Sequence, residues 1–154
     1  LHLEEVDLGE LLKERTILYK KIFSDEAVKQ EFIFDIDGEF MAECDRYYIT
    51  QTIDNLISNA VNYGLGKPVT ITLKESDDGN NISCSIADSG IGIDKTELLS
   101  IFAKFSVSSK TSSPAGGRGV GLALCKSAIE AHNGEISAIS DNNGSVFTFT
   151  IPVK

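Results

Sequence analysis

The chain has no tryptophan, one methionine, three prolines and three cysteines in 154 residues. No apolar run approaches the roughly 18 residues that a membrane-crossing helix requires. The opening stretch LHLEEVDLGELL is acidic where a secretion signal is basic and then apolar. These absences point to a cytosolic chain. Cys44, Cys84 and Cys125 are odd in number and far apart, which fits neither a disulfide framework nor a zinc knuckle and leaves three reduced, packed thiols. Positive charge is scarce too. With 14 Lys and Arg against 23 Asp and Glu the net charge is −9, the wrong sign for a nucleic-acid partner.

What is present is the profile of one soluble globular domain, 42% hydrophobic and 24% charged. A chain of this length buries roughly 68 to 70% of its unfolded surface, enough for a single core. The sparse cations are unevenly placed. From Leu98 to Ile129 there is no acid at all, while Lys104, Lys110, Arg118 and Lys126 supply positive charge, and a glycine-rich stretch, AGGRGVGLALCKS, sits inside that island. An acidic protein would receive an anion there.

Periodicity predicts helices layered over one mixed sheet. Asp7 caps a first amphipathic helix, and Asp45 caps a second in which Ile49, Ile53, Leu56, Ile57 and Ala60 form one apolar stripe ended by Gly64. QEFIFDI and EFMAEC read as a hairpin across Asp37-Gly38, and VTITLKE with ISCSIAD as an antiparallel pair. DKTELLSIFAKF reads as a short helix and SVSSKTSSPAGGRG as a long loop of the kind that covers ligands. A last helix closed by Gly134 precedes a final hairpin across DNNG.

Three constellations carry chemistry. The glycine stretch is not a P-loop, because Cys125 stands where the glycine before Lys-Ser belongs. Nor is it a dinucleotide fingerprint, since it follows a serine-rich coil rather than a strand, and Leu122 takes the third glycine position. Gly117, Gly119 and Gly121 before a helix start serve equally as an anion cradle or as a hinge and cap. On the second helix Asn55, Asn59 and Asn62 share one face, with Tyr63 beside Asn59. Such amides are either a solvated face or neutral ligands for Mg²⁺ whose charge is matched by a nucleotide. In ADSGIGIDK, Asp88 can accept from an exocyclic amine while Gly90 and Gly92 let a flat ring approach; the same residues also make an everyday turn.

Taken in order, DNLISNAVNYG, ADSGIGID, IFAKF and GGRGVGLAL resemble the N, G1, F and G2 boxes of the catalytic ATP-binding domain of sensor histidine kinases. That family belongs to the gyrase, chaperone and histidine-kinase superfamily. The resemblance implies a Bergerat-type α/β two-layer sandwich, a mixed, largely antiparallel sheet against three main helices. It implies a single domain over residues 1–154, with a linker-like segment at 1–10 and an ATP lid at 104–118. ATP and Mg²⁺ are the implied cofactors. Asn59 would bind the metal, with Asn55 the polar catalytic residue one turn earlier. Tyr63 would lie beside the adenine and Asp88 would recognise its amine, with Gly90 and Gly92 beneath the base. Phe102 and Phe105 would anchor the lid, Gly117, Gly119 and Gly121 would lie along the phosphates, and Leu122 would belong to the same nucleotide-binding set.

The sequence departs from the family at Asn62, where a Lys or Arg often touches phosphate, and at Arg118, where a small hydroxyl is frequent. Arg118 or Lys110 is the candidate replacement charge. Neither His2 nor His132 sits in a phosphoacceptor setting, so the acceptor histidine is expected on a dimerisation hairpin of the same full-length kinase, with a response regulator further on. The resemblance implies a domain that is monomeric alone and cytoplasmic, as a free protein or as part of a membrane-bound sensor. An ATP-hydrolysing clamp, a protein serine kinase and a non-catalytic nucleotide-binding module are the alternatives. His132, at a helix end, is expected to favour the helix dipole.

Overall fold

The computed structural model describes residues 1–23, 30–102 and 118–153. The elements run β1 (Glu4–Asp7), α1 (Leu8–Phe23), β2 (Phe32–Ile36), β3 (Met41–Cys44), α2 (Arg46–Tyr63), β4 (Val69–Glu75), β5 (Asn81–Asp88), α3 (Lys95–Leu98), α4 (Arg118–Ala131), β6 (Glu135–Asp141) and β7 (Gly144–Pro152). Five strands form a mixed sheet in the order β2-β4-β5-β7-β6, with β2 parallel to β4 and the other neighbours antiparallel. The two-layer α/β arrangement expected of the sequence is the one observed.

Alternation decides which side of the sheet the helices cover. Val69, Ile71 and Leu73 of β4, Ile82, Cys84 and Ile86 of β5, and Phe147, Phe149 and Ile151 of β7 all point into one core. α2 packs on β5, and α4 on β6 and β7. The opposite face is hydroxylic: Ser85 and Thr148 are cross-strand partners joined by a 2.9 Å hydrogen bond.

The β4–β5 and β6–β7 pairs are as expected, but the hairpin across Asp37-Gly38 does not form. β2 instead joins β4 in parallel, so that Phe32, Phe34 and Ile36 lie opposite Val69, Ile71 and Leu73. β3 pairs antiparallel with β1, seating Ala42 opposite Val6. Both strands are half apolar, and each buries its apolar side more fully against a separate partner than a two-stranded hairpin allows. The linker-like opening segment thus contributes β1 and the start of α1. The short helix expected over residues 94–105 is a single turn, α3, with residues 103–105 outside the described range.

α1 and α2 are locked by local chemistry at their starts. The Asp7 carboxylate accepts from the Glu10 N–H at 3.1 Å, and the Asp45 carboxylate accepts from Tyr47 and Tyr48 N–H at 3.0 and 3.3 Å. Ile49, Ile53, Leu56 and Ile57 of α2 are at most 1% exposed, a burial worth about 1.5–3 kcal/mol per side chain. Between the helices the Arg15 guanidinium forks onto Asp54 at 2.8 and 2.7 Å. A part-exposed pair of this kind contributes only about 0.2–1 kcal/mol, so its main effect is to fix how α1 lies along α2.

His132 corrects an expectation. It is buried, its Nε2 accepts the Asp45 N–H at 2.9 Å, and its Nδ1 donates to the Ala128 carbonyl at 2.7 Å. A ring with one accepting nitrogen is neutral, so it ties the end of α4 to the start of α2 and adds no charge to the helix dipole. The left-handed residue that ends α4 is Asn133, with φ 61°, while Gly134 donates to Ile129 O at 3.0 Å.

Asp45 carries a pH prediction. Its carboxyl is held below the ordinary aspartate value, first by the His2 N–H at 2.9 Å and then by the Tyr48 and Tyr47 amides. A depressed carboxylate stabilises the fold above its unfolded value of about 3.9, and that contribution disappears as pH falls through the folded value. Asp45→Asn should therefore lower the urea midpoint at pH 7, and the gap to the wild type should narrow as pH falls below the ordinary aspartate range. A gap independent of pH would mean that the charge contributes nothing.

Candidate functional site

The two elements that carry the N-box and G1-box motifs meet at the end of α2. The Tyr63 carbonyl closes the helix and accepts the Ile91 N–H at 3.2 Å. Gly90 lies against that same carbonyl so closely that a Cβ would overlap the oxygen and stand 2.8 Å from Gly64 Cα. A Cβ at Gly64 would in turn lie 3.6 Å from Asp88 Cβ. Gly90, expected beneath a base, is therefore already required by the protein's own backbone.

Asp88 ends β5 and is 7% exposed; its Oδ1 accepts the Gly90 N–H at 3.0 Å, which bends the chain out of the sheet. Gly92 follows in the left-handed region with φ 75°, pressed against the Asp141 carbonyl. Sequence reasoning missed that the β6–β7 turn braces this loop. Ser140 Oγ accepts the Ile93 N–H at 2.6 Å and donates to the Gly144 carbonyl at 3.0 Å, and Gly144 packs on the Asp88 carbonyl. The serine before DNNG and the glycine that ends it give no signal of that role, because the contact spans distant parts of the chain.

The three asparagines do different things. Asn55 donates to the Gln51 carbonyl at 3.0 Å, and a Cβ at Gly121 would lie 2.6 Å from its Oδ1, so it is the joint between α2 and α4. Asn62 is exposed and donates to Ser58 Oγ at 3.4 Å. Asn59 is 8% exposed, and among the described residues its side-chain amide makes no hydrogen bond. A buried, unmatched amide costs about 1–3 kcal/mol, which sets Asn59 apart from the other two.

The remaining candidates divide. Tyr63 is buried at 4% exposure and Phe102 is half-buried, edge-on to Phe147 at 6.1 Å between ring centroids. Leu122 is fully buried within the core, where its side chain holds α4 in place. Gly119 and Gly121 lie in the first turn of α4, at the positive end of its dipole. Phe105, Lys104, Lys110 and Gly117 lie outside the described residues, as does all of the 104–118 segment except Arg118.

All three cysteines are buried and unpaired, and burial pushes Cys84 up to about 12 and Cys44 and Cys125 up to about 11. They are packed thiols rather than nucleophiles. Among the described residues no helix is long and apolar enough to cross a membrane. Nor do three His, Cys, Asp or Glu side chains converge as a metal group. The donors that fit Mg²⁺ are neutral amide oxygens, and these need a ligand that brings its own negative charge.

The structure thus brings the motifs that carry the family resemblance, an amide-bearing helix and an aspartate loop, together on one α/β sandwich. Residues 44–154 match the family described as histidine kinase-, DNA gyrase B-, and HSP90-like ATPase, and the chain belongs to that family. The sensor histidine kinase WalK of Bacillus subtilis (strain 168) is 38% identical over 128 residues, covering 80% of this chain but only 21% of WalK. A nucleotide-free catalytic domain of the histidine kinase ThkA matches with a TM-score of 0.83 at 30% identity, covering 99% of this chain and 96% of that one. A second ThkA structure, 29% identical with a TM-score of 0.79 over 99% of this chain and 42% of that one, is a complex with the response regulator protein TrrA. The chain is thus a catalytic domain of the histidine-kinase kind and spans about a fifth of its curated relative.

Proposed function

We propose that this domain binds ATP with Mg²⁺ between the asparagine face of α2, the Asp88 loop and the start of α4. It then presents the γ-phosphoryl group to a histidine on a helical hairpin outside this chain. The observation that carries the reading is Asn59, a buried amide without a partner among the described residues, on the helix whose end meets Asp88.

The bound metal would neutralise phosphate charge. Asn59 Oδ1 is the ligand this chain offers to it, and because that oxygen is neutral, metal and nucleotide must enter together. Asp88 accepts from the adenine amine, and Tyr63 lies on the adenine side. Gly119 and Gly121 turn backbone N–H groups toward the phosphates. Lys110 and Arg118 supply positive charge from the lid that Phe102 and Phe105 anchor. Phosphoryl transfer is chiefly a matter of positioning and electrostatic stabilisation, so the domain needs no general base. An ATP-hydrolysing clamp is disfavoured by Asn55, whose amide cannot take a proton from water and already packs on Gly121. The ThkA–TrrA complex supports a response regulator as the downstream partner, and the domain would work on the cytoplasmic side.

The test is a titration with ATP, ADP and GTP, with and without Mg²⁺, on the wild type and on Asn59→Ala. ATP should bind in preference to GTP, and Asn59→Ala should lose about tenfold or more of the Mg²⁺-dependent affinity. Addition of a hairpin bearing an acceptor histidine and γ-labelled ATP should label the hairpin and leave this domain unlabelled. Equal binding of GTP, or a silent Asn59→Ala, would remove the assignment.

A further inference from the structure

The loop at residues 88–93 carries the aspartate and both glycines assigned to the base. Its middle is tied to α2, through the Ile91 N–H on the Tyr63 carbonyl at 3.2 Å. Its two ends are held from the other side, by the β6–β7 hairpin, and one side chain serves both. That side chain is Ser140, next to last in β6.

At the far end of the loop Ser140 Oγ accepts the Ile93 N–H at 2.6 Å, a bond between residues 47 positions apart. At the near end it donates to the Gly144 carbonyl at 3.0 Å. Gly144 lies so close to Asp88 that a Cβ there would overlap the Asp88 carbonyl oxygen. The partners fix the direction of each bond. A backbone N–H only donates and a carbonyl only accepts, so the single hydroxyl proton of Ser140 goes to Gly144. Ser145, 3% exposed, stands with its own hydroxyl 3.0 Å away and donates to the remaining lone pair. The sheet register sets these groups in one row: Ser140 is the cross-strand partner of Ser145, and Ser145 that of Asp88.

We propose that Ser140 is a positioning residue for base recognition, whose hydroxyl clamps both ends of the 88–93 loop and so sets the Asp88 carboxylate in place before a nucleotide arrives. Without that hydroxyl the Ile93 N–H loses its acceptor and the hairpin loses its hold on the loop. Ordering the loop then falls to the ligand, and the cost is subtracted from its affinity. Among the described residues the hydrogen bonds of Ser140 reach neither Asn59 nor the start of α4. The cost is therefore shared by every ligand that carries the base and is independent of the metal. This inference rests on the ATP·Mg²⁺ reading above and adds to it a residue from β6.

The experiment measures affinity for adenosine, ADP and ATP, with and without Mg²⁺, and native-state hydrogen exchange at the Ile93 amide. It compares the wild type with Ser140→Ala, Ser140→Thr, Ser145→Ala, Asp88→Asn and the double variant Ser140→Ala/Asp88→Asn. Ser140→Ala should weaken all three ligands by one factor, about fivefold for a neutral hydrogen bond. It should leave the Mg²⁺-dependent gain of ATP unchanged and speed exchange at Ile93. Ser140→Thr, which keeps the hydroxyl, should restore the affinity. Ser145→Ala spares both clamp bonds and should show the same pattern with a smaller loss, a measurement that stands even if Ser140→Ala does not fold. The double variant should lose less than the product of the two single losses, because Ser140 acts through Asp88. Wild-type adenosine affinity in Ser140→Ala, or in Ser145→Ala where Ser140→Ala does not fold, would show a merely structural role and overturn the inference. Unchanged exchange at Ile93, fully multiplicative losses in the double variant, or a larger loss in Ser145→Ala than in Ser140→Ala would overturn it too. A wild type that binds neither adenosine nor ATP overturns the nucleotide reading as well.

Discussion

Gly90→Ala should be among the most damaging single methyl groups at the described glycines. The added Cβ would overlap the Tyr63 carbonyl oxygen and stand 2.8 Å from Gly64 Cα, and both are backbone atoms with no rotamer to yield. Relief requires the Asp88 loop to move off the end of α2, which breaks the Ile91 to Tyr63 hydrogen bond of 3.2 Å. Overpacking of this kind costs about 1–3 kcal/mol and occasionally more. The upper end is expected here, a fall in Tm of roughly 6–12 °C for a domain of this size. Gly66→Ala is the control. That residue has φ 76° with nothing within 4 Å of its virtual Cβ, so alanine there meets backbone strain alone, about 1–2 kcal/mol. The outcome that would sink the argument is a Gly90→Ala midpoint no lower than that of Gly66→Ala. A second consequence follows for function. The Gly90 contact joins the two elements that carry Asn59 and Asp88, so the folded fraction of Gly90→Ala should also bind ATP less tightly.

Gly90 also shows where sequence reasoning about the site stops. Its small size is visible in ADSGIGID, and a flat ligand above it is a reasonable cause, but the neighbour that forbids a side chain is a carbonyl 27 positions earlier. Periodicity reveals elements and faces, which is why the apolar stripe of α2 and the clustering of Asn55, Asn59 and Asn62 were legible. It does not reveal what meets those faces. The asparagines looked equivalent on a helical wheel, and only packing separates the joint at Asn55 from the unsatisfied amide of Asn59. Strand pairing failed for the same reason. Phe32, Phe34 and Ile36 alternate as a strand should, yet their partner is β4, beyond the whole of α2, rather than β3 across a well-formed turn. The Asp45–His132 bond and the Arg15–Asp54 fork are likewise long-range, and none of these residue types announces its partner. What could be read was order and spacing, and four short motifs in sequence were enough to reach the family without these contacts.

Asp88→Asn is expected to cost about 100-fold in ATP affinity, and the pattern of that loss matters more than its size. The substitution preserves volume and leaves an oxygen to accept the Gly90 N–H, so the loop and the urea midpoint should stay as they are. A carboxylate has about four lone-pair sites, so the Gly90 bond leaves it capacity to accept from a ligand amine. An amide in its place is neutral and can turn a donor toward that amine. Losing a hydrogen bond to a charged group costs about 1.5–3 kcal/mol, which is roughly a 10- to 150-fold loss. Because the lost contact is to the base, adenosine, ADP and ATP should weaken in the same proportion and the Mg²⁺ dependence should not change. Asn59→Ala should do the reverse, sparing adenosine and weakening the Mg²⁺-dependent binding of ATP. Base preference should shift as well. Guanine carries an acceptor oxygen where adenine carries the amine, so the ATP-to-GTP ratio should fall in Asp88→Asn even if GTP binds no better in absolute terms. If Asp88→Asn weakened ATP but left adenosine untouched, Asp88 would belong to the phosphate end, and the orientation of the nucleotide proposed here would have to be reversed.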